Sequence, residues 1–473
     1  MLLQKSTSAL SHDRAQQLEQ SAFIGLPDSD LQARSGLCAI SKLIPNPANT
    51  RVHSKKQIKK LARAMDKTKF NSPVVVDEDL NILTGHARVK AQQLRGLDEI
   101  YVVQICGLTK AQKRLYLISD NRVAEDAKWD RETLAEQFPE LESLFAECDF
   151  KLEDTGFESA EIDQLKCDFE EDSDDPADAV PSQPGTAVAR LGDRFALGDH
   201  LLHVGDARNL EAVSALMRGE FAAAGIHDVP YNVKVRSISG RGKTKHAEFA
   251  MASGEMPPPQ YIAFLKCVLG NAARFCRDGS HTYVFMDWKH IAELIAAAKD
   301  VFSAMVNLAV WVKTNAGQGG MLRSQHELIG IFRVGEGGVL DNVQKGRFGR
   351  NRSNVWHYAG VNAFRAGRAD DLAAHPTVKP VALVVDALKD CTRRCDIVLD
   401  CFSGSGTTIL AAERVGRRAR APEIEPKYVD VSIRRWEQFT GRDAIHIETD
   451  LTFSELAEQR LAPPARVRIR TRA

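Results

Sequence analysis

The 473-residue sequence contains no run of 18 apolar residues, so no segment of it reads as a membrane span. Its start, MLLQKSTSALSHDRAQQLEQ, lacks an uninterrupted apolar core and does not read as a secretory leader. Nine cysteines are scattered along the chain with no Cys-x-x-Cys pair. An odd number without framework spacing predicts reduced thiols in a cytoplasmic protein and argues against structural zinc. Neither sign of charge is in excess, since 63 basic residues balance 63 acidic ones. The balance hides an asymmetry. Residues 1–180 hold 32 acids and 23 bases, a formal −9, and the remainder carries +9. The second part is therefore the better candidate for a polyanionic partner. No internal repeat of fixed period is present, and the length predicts two or more folding units.

Residues 1–35 are polar and lack sustained periodicity, which predicts a loose N-terminal arm. Over 36–130 the pattern is α/β. Ile58, Leu61, Ala62 and Met65 recur at helical spacing, Val74–Val76 and Tyr101–Ile105 read as strands, and Val89–Leu94 as a helix closed by Gly96. A helical, increasingly acidic extension spans 131–168. The stretch EEDSDDPADAVPSQPG predicts an acidic linker over 169–188. From 189 to 445, apolar runs at 221–226, 281–286, 306–312, 327–333 and 397–400 alternate with helical patterns at 261–275, 291–302 and 381–390. That alternation predicts an open, mostly parallel, doubly wound sheet covered by helices. A basic tail, 446–473, ends in alternating arginines.

Two segments carry chemistry on their own residues. In DIVLDCFSGSGTT a buried strand ends at Asp400, and Gly404 and Gly406 then permit a tight turn and close ligand approach at a helix N-terminus. The third glycine of a dinucleotide fingerprint is missing, and so is the Gly-Lys-[Ser/Thr] of a triphosphate loop. Glu423 follows at the distance of an acid that accepts ribose hydroxyls. The bland alternative is a plain glycine turn. The second segment, IHDVPYNV, puts a carboxylate, a proline and an aromatic within four residues. An exocyclic nucleobase amine is a poor nucleophile because its lone pair is delocalised into the ring. Asp228 and the Val229 carbonyl can each accept one N–H, Pro230 stiffens the turn, and Tyr231 can stack on a flipped base. Its bland alternative is an ordinary turn.

With His375–Pro380 (HPTVKP) ahead of the glycine strand, these segments resemble the S-adenosylmethionine-dependent DNA amino-methyltransferases over about residues 190–440. Base-binding motif first and cofactor loop last is the order of their β class. The resemblance implies a Rossmann-like fold and transfer of a methyl group to adenine N6, or to cytosine N4, in double-stranded DNA. It implies that Asp400, Phe402, Gly404 and Gly406 line the methionine and adenosine pocket and that Glu423 holds the ribose. Asp206 would lie near the adenine, with His375 and Lys379 framing the cofactor. HAEFAMASGEM, FMDWKH, RSQHEL and GRFGRNRSNVWHYAGVNAFRAGR look like a subfamily fused to a ParB-like domain. Asp at the first motif position favours adenine. Three departures stand out: Val229 replaces a proline, Cys401 replaces a proline, and Pro422 stands where an apolar strand residue would precede the ribose acid and could shorten that strand. A catalytically impaired regulator is the reading those departures would support.

Residues 36–130, with LIPNPANTR and SPVVVDEDLNILTGHARVKAQQLRGL, resemble the ParB/sulfiredoxin-like fold, a smaller α/β domain. Gly85, His86 and Arg88 occupy its phosphate-facing Gly-x-x-Arg motif, and no cysteine is present there to support sulfiredoxin chemistry. Nuclease action or simple DNA binding are its open alternatives. Arg347, Arg350, Arg352 and Arg365, interleaved with Phe348, Trp356 and Phe364, are candidates for DNA phosphate and base contact. Arg236, Arg241, Lys243 and Lys245 would form a flap over the DNA. No metal is required, and a homodimer is left open.

Overall fold

The computed structural model describes residues 17–27, 30–69, 72–126, 129–146, 148–167, 176–181, 185–233, 251–314, 316, 321–343, 350, 352–359 and 378–462. Two compact units result, Met1–Phe169 and Glu170–Ala473.

The first unit is built on strands β1 (Ile24–Gly25), β2 (Gln32–Ala39), β3 (Val74–Val76), β4 (Ile82–Thr84) and β5 (Glu99–Cys106). They lie in the order β1-β2-β5-β3-β4, antiparallel except for β3 against β5. Helices α1 (Lys55–Thr68) and α2 (His86–Leu94) pack together, and α3 (Lys110–Asp126), α4 (Arg131–Ala146) and α5 (Ser159–Cys167) follow. The stripe read from the sequence forms: Ala62 and Met65 are buried with Ala91 of α2, and Ile58 and Leu61 pack beside them. Ser54 starts α1 by accepting the Gln57 N–H. Val74, Val76, Ile100 and Val102 alternate into the core of the sheet. The predicted arm is corrected in its second half. Leu18 is buried in that core and β2 begins at Gln32, because its few apolar residues pair against β5 rather than showing a period of their own.

The second unit holds β6 (Arg194–Leu197), β7 (His200–Val204), α6 (Leu210–Met217), β8 (Ala222–Asp228), α7 (Pro258–Arg274), β9 (Cys276–Met286), α8 (Ile291–Ala298), β10 (Ala304–Val312), β11 (His326–Arg333), β12 (Val355–His357), α9 (Val381–Cys391), β13 (Ile397–Leu399), α10 (Thr407–Arg414), β14 (Arg418–Glu423), α11 (Pro426–Thr440), β15 (Ile445–His446), β16 (Leu451–Thr452) and α12 (Phe453–Leu461). The sheet order is β12-β10-β11-β9-β8-β13-β14-β7-β6-β15-β16. Its centre, β9-β8-β13-β14-β7, is parallel as the alternating runs predict. Mostly antiparallel strands extend both ends, so the sheet is mixed. Successive side chains point to opposite faces. Val398, Tyr283 and Phe285 join the core under α9, α10 and α11, while Leu399, Val284 and Met286 join the core under α6, α7 and α8.

Two further boundaries move. The predicted linker 169–188 is packed at its end, where Val188 is buried and its N–H donates to Asp430 at 2.7 Å. Val381 N–H likewise donates to Asp178 Oδ1 at 2.8 Å. The predicted tail from 446 onward is structured as far as α12, whose Phe453 and Leu456 are core residues.

Candidate active site

The parallel strands deliver their C-terminal ends, and the motif residues with them, to one edge of the sheet, where α/β folds place ligands. β13 ends in Asp400, whose carboxylate accepts the Phe402 N–H at 2.9 Å and the Thr408 hydroxyl at 2.6 Å. Burial lifts its pKa to about 7. Gly404 and Gly406 both lie at positive φ, as the tight turn requires. A side chain at Gly406 would come within 2.9 Å of Ser432. The turn is held by Glu423, which accepts the Gly404 N–H at 2.8 Å and the Glu425 N–H at 2.9 Å. Burial raises the Glu423 pKa. Arg435 of α11 donates to the Ser405 carbonyl at 3.1 Å and to the Ala177 carbonyl at 2.7 Å, which fixes the turn from behind.

Pro422 does not shorten β14, contrary to the sequence reading. Asp400 N–H donates to the Arg420 carbonyl and Gly205 N–H to that of Glu423. Even-numbered residues of β14 therefore face β13 and odd-numbered ones face β7. The missing N–H of Pro422 falls on the β13 side, past the last pair, Leu399 with Arg420. Glu423 thus still pairs with Val204 of β7, two residues before Asp206. The Asp206 carboxylate is bound by Arg208 at 2.6 Å.

The Asp-Val-Pro-Tyr turn leaves the end of β8, next to the glycine loop. His227 ties the two together by accepting the Cys401 N–H at 3.2 Å. Burial pulls the His227 pKa down to about 3, so the ring stays neutral. Val229 and Cys401 are both buried apolar residues, and Tyr261 of α7 donates to the Pro230 carbonyl at 2.7 Å. The departures from proline therefore sit in packed positions.

Asp228 is the centre of a charged cluster. Lys379, 5% exposed, donates to its Oδ2 at 2.8 Å and reaches Glu327 Oε2 at 3.2 Å. The Tyr231 hydroxyl lies 3.0 Å from Asp228 Oδ1 and 2.9 Å from Glu327 Oε2. Lys313 pairs with the other Glu327 oxygen. Burial raises the Asp228 pKa against the opposing pull of Lys379. Glu327 behaves differently: burial pushes it up, but Lys379 and Lys313 outweigh burial and hold it at about 2. Burial acts against the charged form of Lys379, yet its two carboxylates keep its pKa above the ordinary value.

The structure thus brings Asp228, Val229, Pro230, Tyr231, Lys379, Asp400, Phe402, Gly404, Gly406 and Glu423 to one edge of the sheet. His375, Arg347, Arg365 and the basic residues at 236–245 lie outside the described residues. Arg350 and Arg352 are corrected. Arg350 is buried and bound to Asp390 at 2.6 Å and Asp386 at 3.2 Å, and Arg352 binds the same two carboxylates at 2.9 and 2.8 Å. Their charge is engaged on α9, with Arg352 stacked 4.6 Å over the Trp356 ring, an interior ion-pair setting rather than the open one expected of phosphate contacts. Glu327, Lys313 and Arg435 were missed. Their partners lie elsewhere in the sequence, and the only signals near them are the RSQHEL stretch, which contains Glu327, and the EIEPKYVDVSIRRW stretch beginning at Glu423, which contains Arg435.

In the first unit Gly85, at φ 103, opens α2. His86 Nε2 accepts the Asn46 N–H at 3.2 Å, and Arg88 donates to the Pro73 carbonyl at 2.8 Å. The motif forms a tight, inward-held turn.

Residues 224–434 match the N6/N4-methyltransferase family model, described as DNA methylase. This is a DNA methylase domain. A second model, described as a ParB-methyltransferase HTH domain, matches residues 132–191. The sequence reading has there only a helical extension and a linker. Residues 132–167 hold 11 acids and two bases, which hides any nucleic-acid signature. The type II methyltransferase M.ScaI of Streptomyces caespitosus is 34% identical over 89 residues, 19% of this chain, and the chain spans only 29% of that relative's length. M.HpaI of Haemophilus parainfluenzae is 25% identical over 237 residues, 46% of this chain and 70% of that protein. The ParB-like nuclease domain-containing protein YnaK of Escherichia coli (strain K12) is 33% identical over 75 residues, 16% of this chain and 86% of YnaK. The methylase domain is thus joined to a ParB-like unit.

Proposed function

We propose that this chain methylates the exocyclic N6 of adenine in double-stranded DNA, with Asp228 as the residue that engages the target amine. The observation that carries the reading is the placement of Asp228. Its partly buried carboxylate stands at the end of β8, beside the Gly404–Gly406 turn, with Tyr231 and Lys379 in contact. An S-adenosylmethionine molecule, bound at that turn, supplies an activated methyl group on its sulfonium. The turn fits such a group. The Ser403 hydroxyl is buried without a hydrogen-bond partner among the described residues, a donor that a polar ligand would satisfy. Glu423 presents a buried carboxylate at the strand end, suited to ribose hydroxyls.

The chain's own residues do the remaining work. Asp228 and the Val229 carbonyl each accept one N–H of the amine, which localises the nitrogen lone pair. Tyr231 offers its ring to the flipped base. As the nitrogen gains a methyl group it must shed a proton, and the raised pKa of Asp228 suits its carboxylate to receive it. Asp at the first motif position supports adenine over cytosine. The type II methyltransferase relatives support a modification enzyme acting on its own DNA site, the scattered cysteines without Cys-x-x-Cys spacing support a cytoplasmic location, and Arg347 and Arg365 remain the candidates for phosphate contact. Digesting methylated DNA and identifying the modified nucleoside by mass spectrometry tests the reading. N6-methyladenine is expected, and N4-methylcytosine alone would overturn it.

A further inference from the structure

We propose that Glu327 is a positioning residue: it holds the Lys379 ammonium and the Tyr231 hydroxyl so that Asp228 keeps acceptor capacity for the target amine. The proposal rests on the assignment of Asp228 made above. β11 carries Glu327 into the site 96 residues after Tyr231. There it accepts from three donors on three different segments: Tyr231, Lys313 at the end of β10, and Lys379 ahead of α9. The cluster contains two carboxylates and two ammonium groups, so its charges cancel. Lys313 pairs with Glu327, whereas Lys379 is shared with Asp228. The Tyr231 hydroxyl has one hydrogen for two acceptors, and Glu327 lies as near to it as Asp228 does.

Without the Glu327 carboxylate, two ammonium groups would face one carboxylate. Lys379 would then turn wholly onto Asp228, and the Tyr231 hydrogen with it. Both acceptor oxygens needed by the incoming amine would be occupied, and the carboxylate would bind a proton less readily. The groups that face Asp228 are Lys379, Glu327, Tyr231 on its own turn, and Asp400 after β13. Lys313 acts through Glu327, and the neighbouring His227 ring is turned to Cys401 and neutral. The sign follows from these neighbours. The Glu327 charge raises the Asp228 pKa, so its removal moves the acid limb of kcat to lower pH, and removal of Lys313 moves it to higher pH.

The test measures methyl transfer to DNA against pH for the intact wild-type chain, Glu327→Gln, Lys313→Met and the double variant. Glu327→Gln should lose on the order of a hundredfold in kcat, with KM for DNA nearly unchanged and the acid limb lowered by about one unit. Lys313→Met should shift that limb the opposite way. Adding Lys313→Met to Glu327→Gln restores the charge balance and should recover about tenfold. S-adenosylhomocysteine binding, measured by calorimetry, should be retained in all four and serves as the check on folding. A limb that does not move in either variant, or a double variant no better than Glu327→Gln, would overturn the proposal and leave Glu327 a packing residue. A wild-type chain that transfers no methyl at all would instead overturn the Asp228 assignment, and this inference with it.

Discussion

Replacing Gly406 by alanine tests how closely the glycine turn is built. The residue lies at φ 83 and opens α10. An added methyl would sit 2.9 Å from both Cβ and Oγ of Ser432 and 3.2 Å from its Cα. Ser432 cannot swing aside freely, because it is buried and its hydroxyl donates to the Gly404 carbonyl at 2.8 Å. The left-handed backbone costs about 1–2 kcal/mol for a residue with a Cβ. Overpacking against Ser432 adds about 1–3 kcal/mol. Chemical denaturation should therefore show a loss of about 2–5 kcal/mol. Calorimetry with S-adenosylhomocysteine should show at least a tenfold weaker Kd, since about 1.4 kcal/mol of misplacement already gives that factor. Gly441→Ala is the matched control. Its φ of 68 is similar, but nothing among the described residues lies within 4 Å of the new methyl, so only the backbone cost applies and ligand binding should be unchanged. If Gly406→Ala binds like wild type and loses no more stability than Gly441→Ala, the close approach of the turn to Ser432 is wrong.

Arg350→Met should cost about 1–3 kcal/mol in stability, because the buried Asp390 carboxylate keeps Arg352 but loses its 2.6 Å partner. The salt dependence of DNA binding should not change. A slope reduced by about one phosphate contact would show that Arg350 serves DNA after all. Glu413, on α10, is held at about 2: burial pushes it up, and hydrogen bonds from His200 and Trp436 outweigh burial. Its folded pKa lies below the unfolded one, so its contribution is full above about pH 4.5 and disappears as pH falls through about 2. Glu413→Gln should lose up to about 3 kcal/mol at pH 7 and approach the wild type near pH 2 in urea titrations. An equal gap at both pH values would contradict the assignment. In the first unit, Glu158 pairs with Lys56 and Lys60 of α1, both partly exposed. Its replacement by Gln should cost no more than about 1 kcal/mol by thermal unfolding.

The strands legible in the sequence are the near-continuous apolar runs. β8 and β13 are buried on both faces, as central strands of such sheets are, whereas β10 keeps an apolar run although its first four residues are exposed. β14 was harder, since Arg418 and Arg420 interrupt its alanines. The structure neutralises both with Glu220, nearly 200 residues upstream. β2 was invisible for the opposite reason: it is only half buried, and Gln32, Arg34, Ser35 and Gly36 break up any apolar run. The site divides the same way. Asp228 and the glycine turn are contiguous motifs and could be found by eye. Glu327 and Lys313 act only because β10 and β11 pair antiparallel and bring them to the Tyr231 turn, which no local spacing reveals. Arg350 and Arg352 misled because charge beside aromatics suits nucleic acid and a buried ion pair equally well. Only the two aspartates one helical turn apart on α9, Asp386 and Asp390, decide between them.

The most direct test of the central claim measures tritiated methyl incorporation into DNA by the wild type and by Asp228→Ala. The carboxylate acts chiefly in the transition state, so its loss should lower kcat far more than it raises KM. The glycine turn is held by Glu423, Ser432 and Arg435 rather than by Asp228, so S-adenosylhomocysteine should still bind. The account predicts abundant transfer by the wild type and essentially none by Asp228→Ala. An alanine variant that methylates DNA at nearly the wild-type rate would contradict it.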